Sequence, residues 1–208
     1  MARVTGPLMS VSASGTFAKT MVFSIWKGRP YVRERVIPDN PRAPKQLGVR
    51  AMMSFLSQIW TTIKVASGAS WEDLAESKVI STFNAFVGEN LSSWQNFVTP
   101  TASYPAANAS AGLTETTMGL TGGLGMVTVV LTPSGATAIW GHLIFRDTAE
   151  ITAPSWANCI AAIVANGANA VTYVDTPLEP GTYHYRSSVF NTDGVHGTVK
   201  ADATAVAT

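Results

Sequence analysis

The segment TPTASYPAANASAG, residues 99–112, divides the chain into two parts of different period. It holds two prolines, many small residues and no charge, a composition that reads as a linker. On its N-terminal side the apolar residues recur at helical spacing. Val49, Met52, Phe55, Leu56, Ile59, Trp60 and Ile63 fall at i, i+3, i+4 and i+7 and predict a helix over about 45–65. ASGAS (66–70) ends it. A second helix is predicted over 70–98, with Ser70 as N-cap and Glu72 and Asp73 in the first turn, where the dipole favours carboxylates. Leu74, Phe83, Phe86, Val87, Leu91, Trp94, Phe97 and Val98 continue its stripe, and the two helices read as an antiparallel pair.

On the C-terminal side the period becomes two. GMVTVVLTP, TAIWGHLIF, NCIAAIVA, AVTYVDTPL, GTYHYRSSVF and GTVKADATAVA are six strand candidates separated by turns. Short strands at this spacing over 113–208 predict a β-sandwich. The glycine-rich GLTGGLG (119–125) lacks the strand–helix context of a nucleotide loop and reads as an irregular first strand beside a closely approaching backbone.

Before the helices, residues 10–37 read as strands. In VFSIWKGRPYVRERVIP (22–38), Lys27-Gly28-Arg29 is a tight turn, because Gly28 takes positive φ without steric cost. Tyr31, Arg33, Arg35 and Ile37 then share one face, and Val32, Glu34 and Val36 the other. Pro38, Pro41 and Pro44 break the pattern and leave an extended connector. The fold expected is thus an α+β region over 1–98 (hairpin plus helix pair), a linker over 99–112, and an all-β sandwich over 113–208.

Charge is distributed as unevenly as structure. The chain of 208 residues carries a formal net charge of +1 and is only 13 % charged, against about 25 % in an average soluble domain. Residues 1–60 hold nine Lys/Arg and two Asp/Glu, while 113–208 hold three and seven. A basic region that meets an acidic partner is the expectation. The single cysteine, Cys159, excludes an intrachain disulfide and sits in an apolar run that reads as core. No apolar run approaches the roughly 20 residues of a membrane span, and the N-terminus lacks the apolar core of a signal peptide. A soluble protein made in a reducing cytoplasm is expected.

No catalytic constellation emerges. His142 and His184 fall on strands that could be neighbours, but a metal site needs a third ligand nearby, for which Cys159 or Asp147 are candidates. Glu72 and Asp73 read as helix-start charges, and no serine, threonine or cysteine stands in a nucleophile motif. The expectation is a non-enzymatic protein without catalytic residues, cofactor or metal. The residues that do stand out are Trp26, Lys27, Arg29, Tyr31, Arg33, Arg35 and Arg42. Arginine and aromatics are enriched at interface centres, so these are read as assembly contacts. A solvated hairpin face is the plainer reading. A nucleic-acid surface is the third, disfavoured because Glu34 lies within the cluster.

Two resemblances sharpen this picture. DTPLEPGTYHYRSSVFNTDG (175–194) resembles a fibronectin type III or related immunoglobulin-like module, in which Leu and Pro-Gly-Thr precede the penultimate strand and a tyrosine caps the corner between sheets. Leu178, Pro180, Gly181 and Thr182 match; the corner position falls on His184, with Tyr183 and Tyr185 on either side, and Tyr185 is taken as the corner tyrosine with one residue inserted. Separately, residues 6–65 are similar to uncharacterised proteins of tailed-bacteriophage genomes, through Ser14-Gly15, the Val22–Arg33 hairpin and Asn40-Pro41-Arg42. That resemblance implies a virion structural protein, such as a head-decoration, fibre-base or tail-associated component. Its implied partners are further copies of itself and other virion proteins. An adhesin whose sandwich binds host-surface glycan through loops holding Trp156, Asn191 and Asp193 is the alternative. A DNA-contacting connector is the third reading.

Overall fold

A computed structural model describes residues 3–4, 13–17, 19–37, 43–107, 116–133, 139–167 and 169–208. The chain forms two compact units, 1–41 and 42–208.

The smaller unit is a single antiparallel sheet of four strands in sequence order: β1 (Arg3–Val4), β2 (Ala13–Phe17), β3 (Met21–Trp26) and β4 (Arg29–Glu34). Lys27 at φ 49 and Gly28 at φ 77 make the two-residue turn between β3 and β4. Positive φ at both central positions matches the right-handed twist of the flanking strands, as in a type I′ hairpin. The connector residues Pro38 and Pro41, and with them Arg42, lie outside the described residues.

The larger unit is α+β. Helix α1 (Pro44–Ser67) begins with proline at its first positions, where the missing N–H costs no hydrogen bond; Pro44, read above as a breaker, starts the helix. After a short 3₁₀ turn (Gly68–Trp71) come α2 (Glu72–Lys78) and α3 (Thr82–Trp94). The helix predicted over 70–98 is therefore two helices. Ser70 lies in the 3₁₀ turn and donates to Ser67 O, while the N-cap is Ser81, whose Oγ accepts from the Asn84 N–H at 3.2 Å.

Seven strands follow: β5 (Thr116–Gly123), β6 (Met126–Pro133), β7 (Gly141–Asp147), β8 (Cys159–Val164), β9 (Val171–Asp175), β10 (Gly181–Phe190) and β11 (Ala203–Ala207). They pair antiparallel in a three-stranded sheet, β5-β6-β9, and a four-stranded sheet, β11-β10-β7-β8. Val127, Val129 and Leu131 of the first sheet and Ile144, Tyr185 and Ala205 of the second bury one another in a shared core. The glycine-rich stretch does admit a close backbone: a Cβ at Gly122 would collide with the Val206 carbonyl. There β5 runs against β11, and the Gly125 and Thr208 N–H groups bond Thr208 O and Gly123 O at 2.9 and 3.0 Å.

The helices belong to this unit. Met52, Phe55, Leu56 and Ile59 of α1, with Phe86 and Trp94 of α3, form a second core with Leu143, Phe145, Cys159 and Phe190 on the other face of the four-stranded sheet. Gly48 lets α1 rest on bare backbone, since a Cβ there would strike the Trp156 carbonyl; the Trp94 Nε1–H then donates to Gly48 O at 3.2 Å. Neither expected boundary survives. The division at 98 fails because the sheet needs the helices to cover its second apolar face. The start of the 99–112 linker is packed: Ala102 is buried and its carbonyl accepts from Trp71 Nε1 at 2.9 Å. Buried Asn90 donates to Thr101 O and accepts from Thr101 N–H, at 3.1 and 2.8 Å. Among the described residues no helix is long and apolar enough to cross a membrane.

Candidate functional site

The cross-strand register of the small sheet sorts its side chains. Val22 faces Arg33, Ser24 faces Tyr31 and Trp26 faces Arg29, so these six share one side of the β3–β4 ladder. Trp26 is 65 % exposed, and the Lys27 ammonium lies 4.8 Å from its ring centroid, within cation–π range. Trp26, Arg29 and Tyr31 line a shallow concavity of about 440 Å³. Arg35 follows the strand, its N–H bonded to Thr20 O at 2.7 Å. Five of the seven predicted assembly residues are thus gathered on or beside one face: Trp26, Lys27, Arg29, Tyr31 and Arg33. Arg35 continues their row and Arg42 lies outside the described residues.

The opposite side of the same ladder is apolar. Met21, Ile25 and Val32 are exposed there, half-buried Phe23 faces Val32, and Glu34 sits at the end opposite Met21. Val36 and Ile37, just past the strand, are exposed as well. A sheet normally buries at least one face against a second layer. Among the described residues, this one leaves side chains of both faces exposed. The apolar side was legible in β3, whose Met21, Phe23 and Ile25 alternate with Val22, Ser24 and Trp26.

Polar clusters in the larger unit serve the fold. One guanidinium nitrogen of Arg146 (β7) bonds both oxygens of buried Asp175 (β9) at 2.8 Å, and the Tyr185 hydroxyl (β10) donates to Asp175 Oδ2 at 2.9 Å. The network ties the two sheets together. Burial first, and then the adjacent Asp175 charge, push the Tyr185 hydroxyl far above the ordinary tyrosine range, so it stays a donor. Tyr185 is therefore a core residue whose hydroxyl is held by Asp175. The bond back to the preceding turn comes from Tyr183, whose hydroxyl donates to Glu179 O at 2.9 Å. Leu178 packs at the edge of the inter-sheet core, Gly181 opens β10, and Pro180 stands immediately before it.

The histidines do not converge. His184 pairs in register with Asp147 and His142 with Val189, roughly 17 Å apart along β10 at a strand's rise per residue. His184 Nδ1 contacts Asp202 Oδ2 at 2.6 Å. His142 is fully buried, and desolvation lowers its pKa from 6.5 to about 4, so it is neutral at pH 7. The Cys159 thiol is buried and pushed up to about 12, which makes it inert. No group of three or more metal-ligating side chains occurs among the described residues. The glycan-contact candidates differ in exposure: Trp156 and Asp193 are half-buried. Asn191 is buried, its side-chain oxygen accepts from the N–H groups of Asp193 and Val195 at 3.0 Å, and Trp156 packs on the helix-side core.

No protein-family model matches the chain, and no curated protein does. Two solved structures illustrate what it resembles in space. A β-1,2-glucanase from Parabacteroides distasonis aligns at TM-score 0.39 and 12 % identity, over 48 % of this chain and 13 % of that one. The pectate lyase PelI from Erwinia chrysanthemi, solved with tetragalacturonic acid, aligns at TM-score 0.34 and 19 % identity, over 43 % of this chain and 27 % of that one. The chain thus spans under a third of either structure's length.

Proposed function

We propose that this chain is a non-enzymatic structural protein of a bacteriophage virion, a head-decoration, fibre-base or tail-associated component. Its small sheet is the attachment element and its larger unit the body. One observation carries the reading: the β1–β4 sheet presents an apolar side and a basic–aromatic side to solvent, with no second layer of its own among the described residues. The similarity of residues 6–65 to tailed-phage proteins supports the virion assignment.

The body is an immunoglobulin-like sandwich of the fibronectin type III kind, capped by helices on its four-stranded sheet. In its support, the first, second and fifth strands pair in one sheet and the remaining four in the other, and Tyr183 makes the corner bond that Tyr185 was expected to make.

Sedimentation of the full chain beside residues 42–208 tests the attachment role. The body carries both apolar cores, so it is expected to sediment as a folded monomer while the full chain forms a discrete oligomer. A monomeric mass for each, the full chain included, would refute it.

A further inference from the structure

Helix α2 ends on an unexpected residue. Val79 closes it at φ 54 and ψ 48, its N–H bonded to Ala75 O and Glu76 O, and the Ile80 N–H reaches back to Ala75 O at 3.0 Å. This is the left-handed closing position where glycine is the common choice and a β-branched side chain is strained. The strain is not offset by packing within the chain, for Val79 is 91 % exposed and Ile80 is exposed beside it. Glu72 and Glu76 lie at i and i+4 on one stripe of α2 with Asp73 at its flank, and Val79 stands just past Lys78 at the end of the helix. All three acids are exposed, and none belongs to an ion pair among the described residues. An apolar knob thus adjoins a row of carboxylates.

The basic–aromatic face of β3–β4 is complementary to that stripe. A like-to-like contact would bring the cations of Arg29 and Arg33 together, which is unfavourable. An acidic surface with an apolar projection suits the concavity between Trp26, Arg29 and Tyr31. The charge division agrees: unit 1–41 holds six Lys/Arg and two Asp/Glu, and unit 42–208 holds eight and eleven.

We infer that the Trp26–Arg29–Tyr31–Arg33 face of one copy docks on the α2 stripe of a second copy, with Val79 seated between the aromatic rings and the arginines facing Glu72 and Glu76. The inference rests on the assembly reading above and names the partner surface. Two different patches meet, so the contact is heterologous. It repeats head to tail and either closes into a ring or extends into a filament, geometries that suit a repeating shell or tube.

Sedimentation velocity of the full chain over a range of concentrations, at low and high salt, is the test. The mass is expected to rise with concentration and to fall with salt. R29E/R33E, and separately E72R/E76R, should each weaken association at least about tenfold, and combining all four substitutions should restore it. V79G should also weaken association by about tenfold while leaving the melting temperature unchanged or higher, since glycine relieves the strained backbone. A Val79 with only a structural role would not give that pair of readouts.

A chain that is monomeric at every concentration overturns the inference. So does an oligomer insensitive to V79G and to both reversals, which would place the contact on the apolar side of the sheet. Failure of the combined variant to recover overturns this pairing even when the full chain associates and residues 42–208 do not, an outcome that leaves the attachment role intact. Salt-sensitive binding of a labelled DNA duplex by a monomeric chain, abolished in R29E/R33E, would transfer the face to nucleic acid and end the protein–protein assignment.

Discussion

The four-stranded sheet of the larger unit and the four-stranded sheet of the smaller unit are alike in strand number and unlike in what covers them. The larger unit's sheet is buried on both sides. One face meets β6 through Ile144 and Tyr185, and the other meets α1 and α3 through Leu143, Phe145 and Phe190. The small sheet carries Met21, Ile25 and Val32 on one side and Trp26 and Tyr31 on the other, all exposed. Apolar content alone therefore does not separate a core from an interface. The separation comes from whether the same chain supplies the second layer.

The comparison breaks first where the cover is removed. A fragment starting at residue 113 loses α1 and α3 and bares the outer face of β7 and β10. It is expected to aggregate or to lack a cooperative melt, whereas residues 42–208 melt cooperatively. A stable monomeric 113–208 fragment, seen in thermal denaturation with light scattering, would show that the helices are dispensable. Next in size is the sheet-to-sheet tie. Asp175→Ala strands the Arg146 guanidinium and the Tyr185 hydroxyl, and should cost about 3–5 kcal/mol in urea unfolding. The double change Arg146→Met with Asp175→Leu should recover most of that loss.

His142 supplies a pH signature that the small sheet lacks. Its folded pKa of about 4 lies below the ordinary 6.5, so between those values the unfolded chain holds more protons than the folded one. Its contribution is full above pH 6.5 and is lost as pH falls toward 4. The whole loss is on the order of 3 kcal/mol. His142→Gln should flatten the acid limb of the stability curve across that window. The smallest effect belongs to the most conspicuous residue: Trp26→Ala should change stability by less than about 0.5 kcal/mol, as at exposed sites generally. A large loss would mean that the indole is part of a core.

Local patterns were readable where one physical cause dominates. The Lys27-Gly28 turn followed from glycine's tolerance of positive φ, and the six C-terminal strands from alternation. Helix α1 followed from its stripe, and Met52, Phe55, Leu56 and Ile59 are indeed buried. Long-range facts were harder. The break at Val79 was hidden because apolar residues continue at helical spacing on both sides, and valine gives no warning of a left-handed cap. The packed start of the linker was hidden because its order comes from the side chains of Asn90 and Trp71 and not from its own composition. The helix-covered sheet did leave a trace. HLIF at 142–145 is buried at every position instead of alternately, the pattern of a strand covered on both faces. The bond to the preceding turn was expected from Tyr185; the hydroxyl that reaches Glu179 O belongs to Tyr183.

The seat of α1 on β8 has a temporal side. Gly48 and the Trp156 carbonyl meet across more than half of the larger unit. Helix α1 thus leaves the ribosome roughly 100 residues ahead of the strand on which it rests, about 5–20 s at ordinary elongation rates. During that interval Met52, Phe55 and Leu56 have no sheet to cover. Nascent chains of this protein should engage hydrophobic-surface chaperones through α1 and release them only after β8 has emerged.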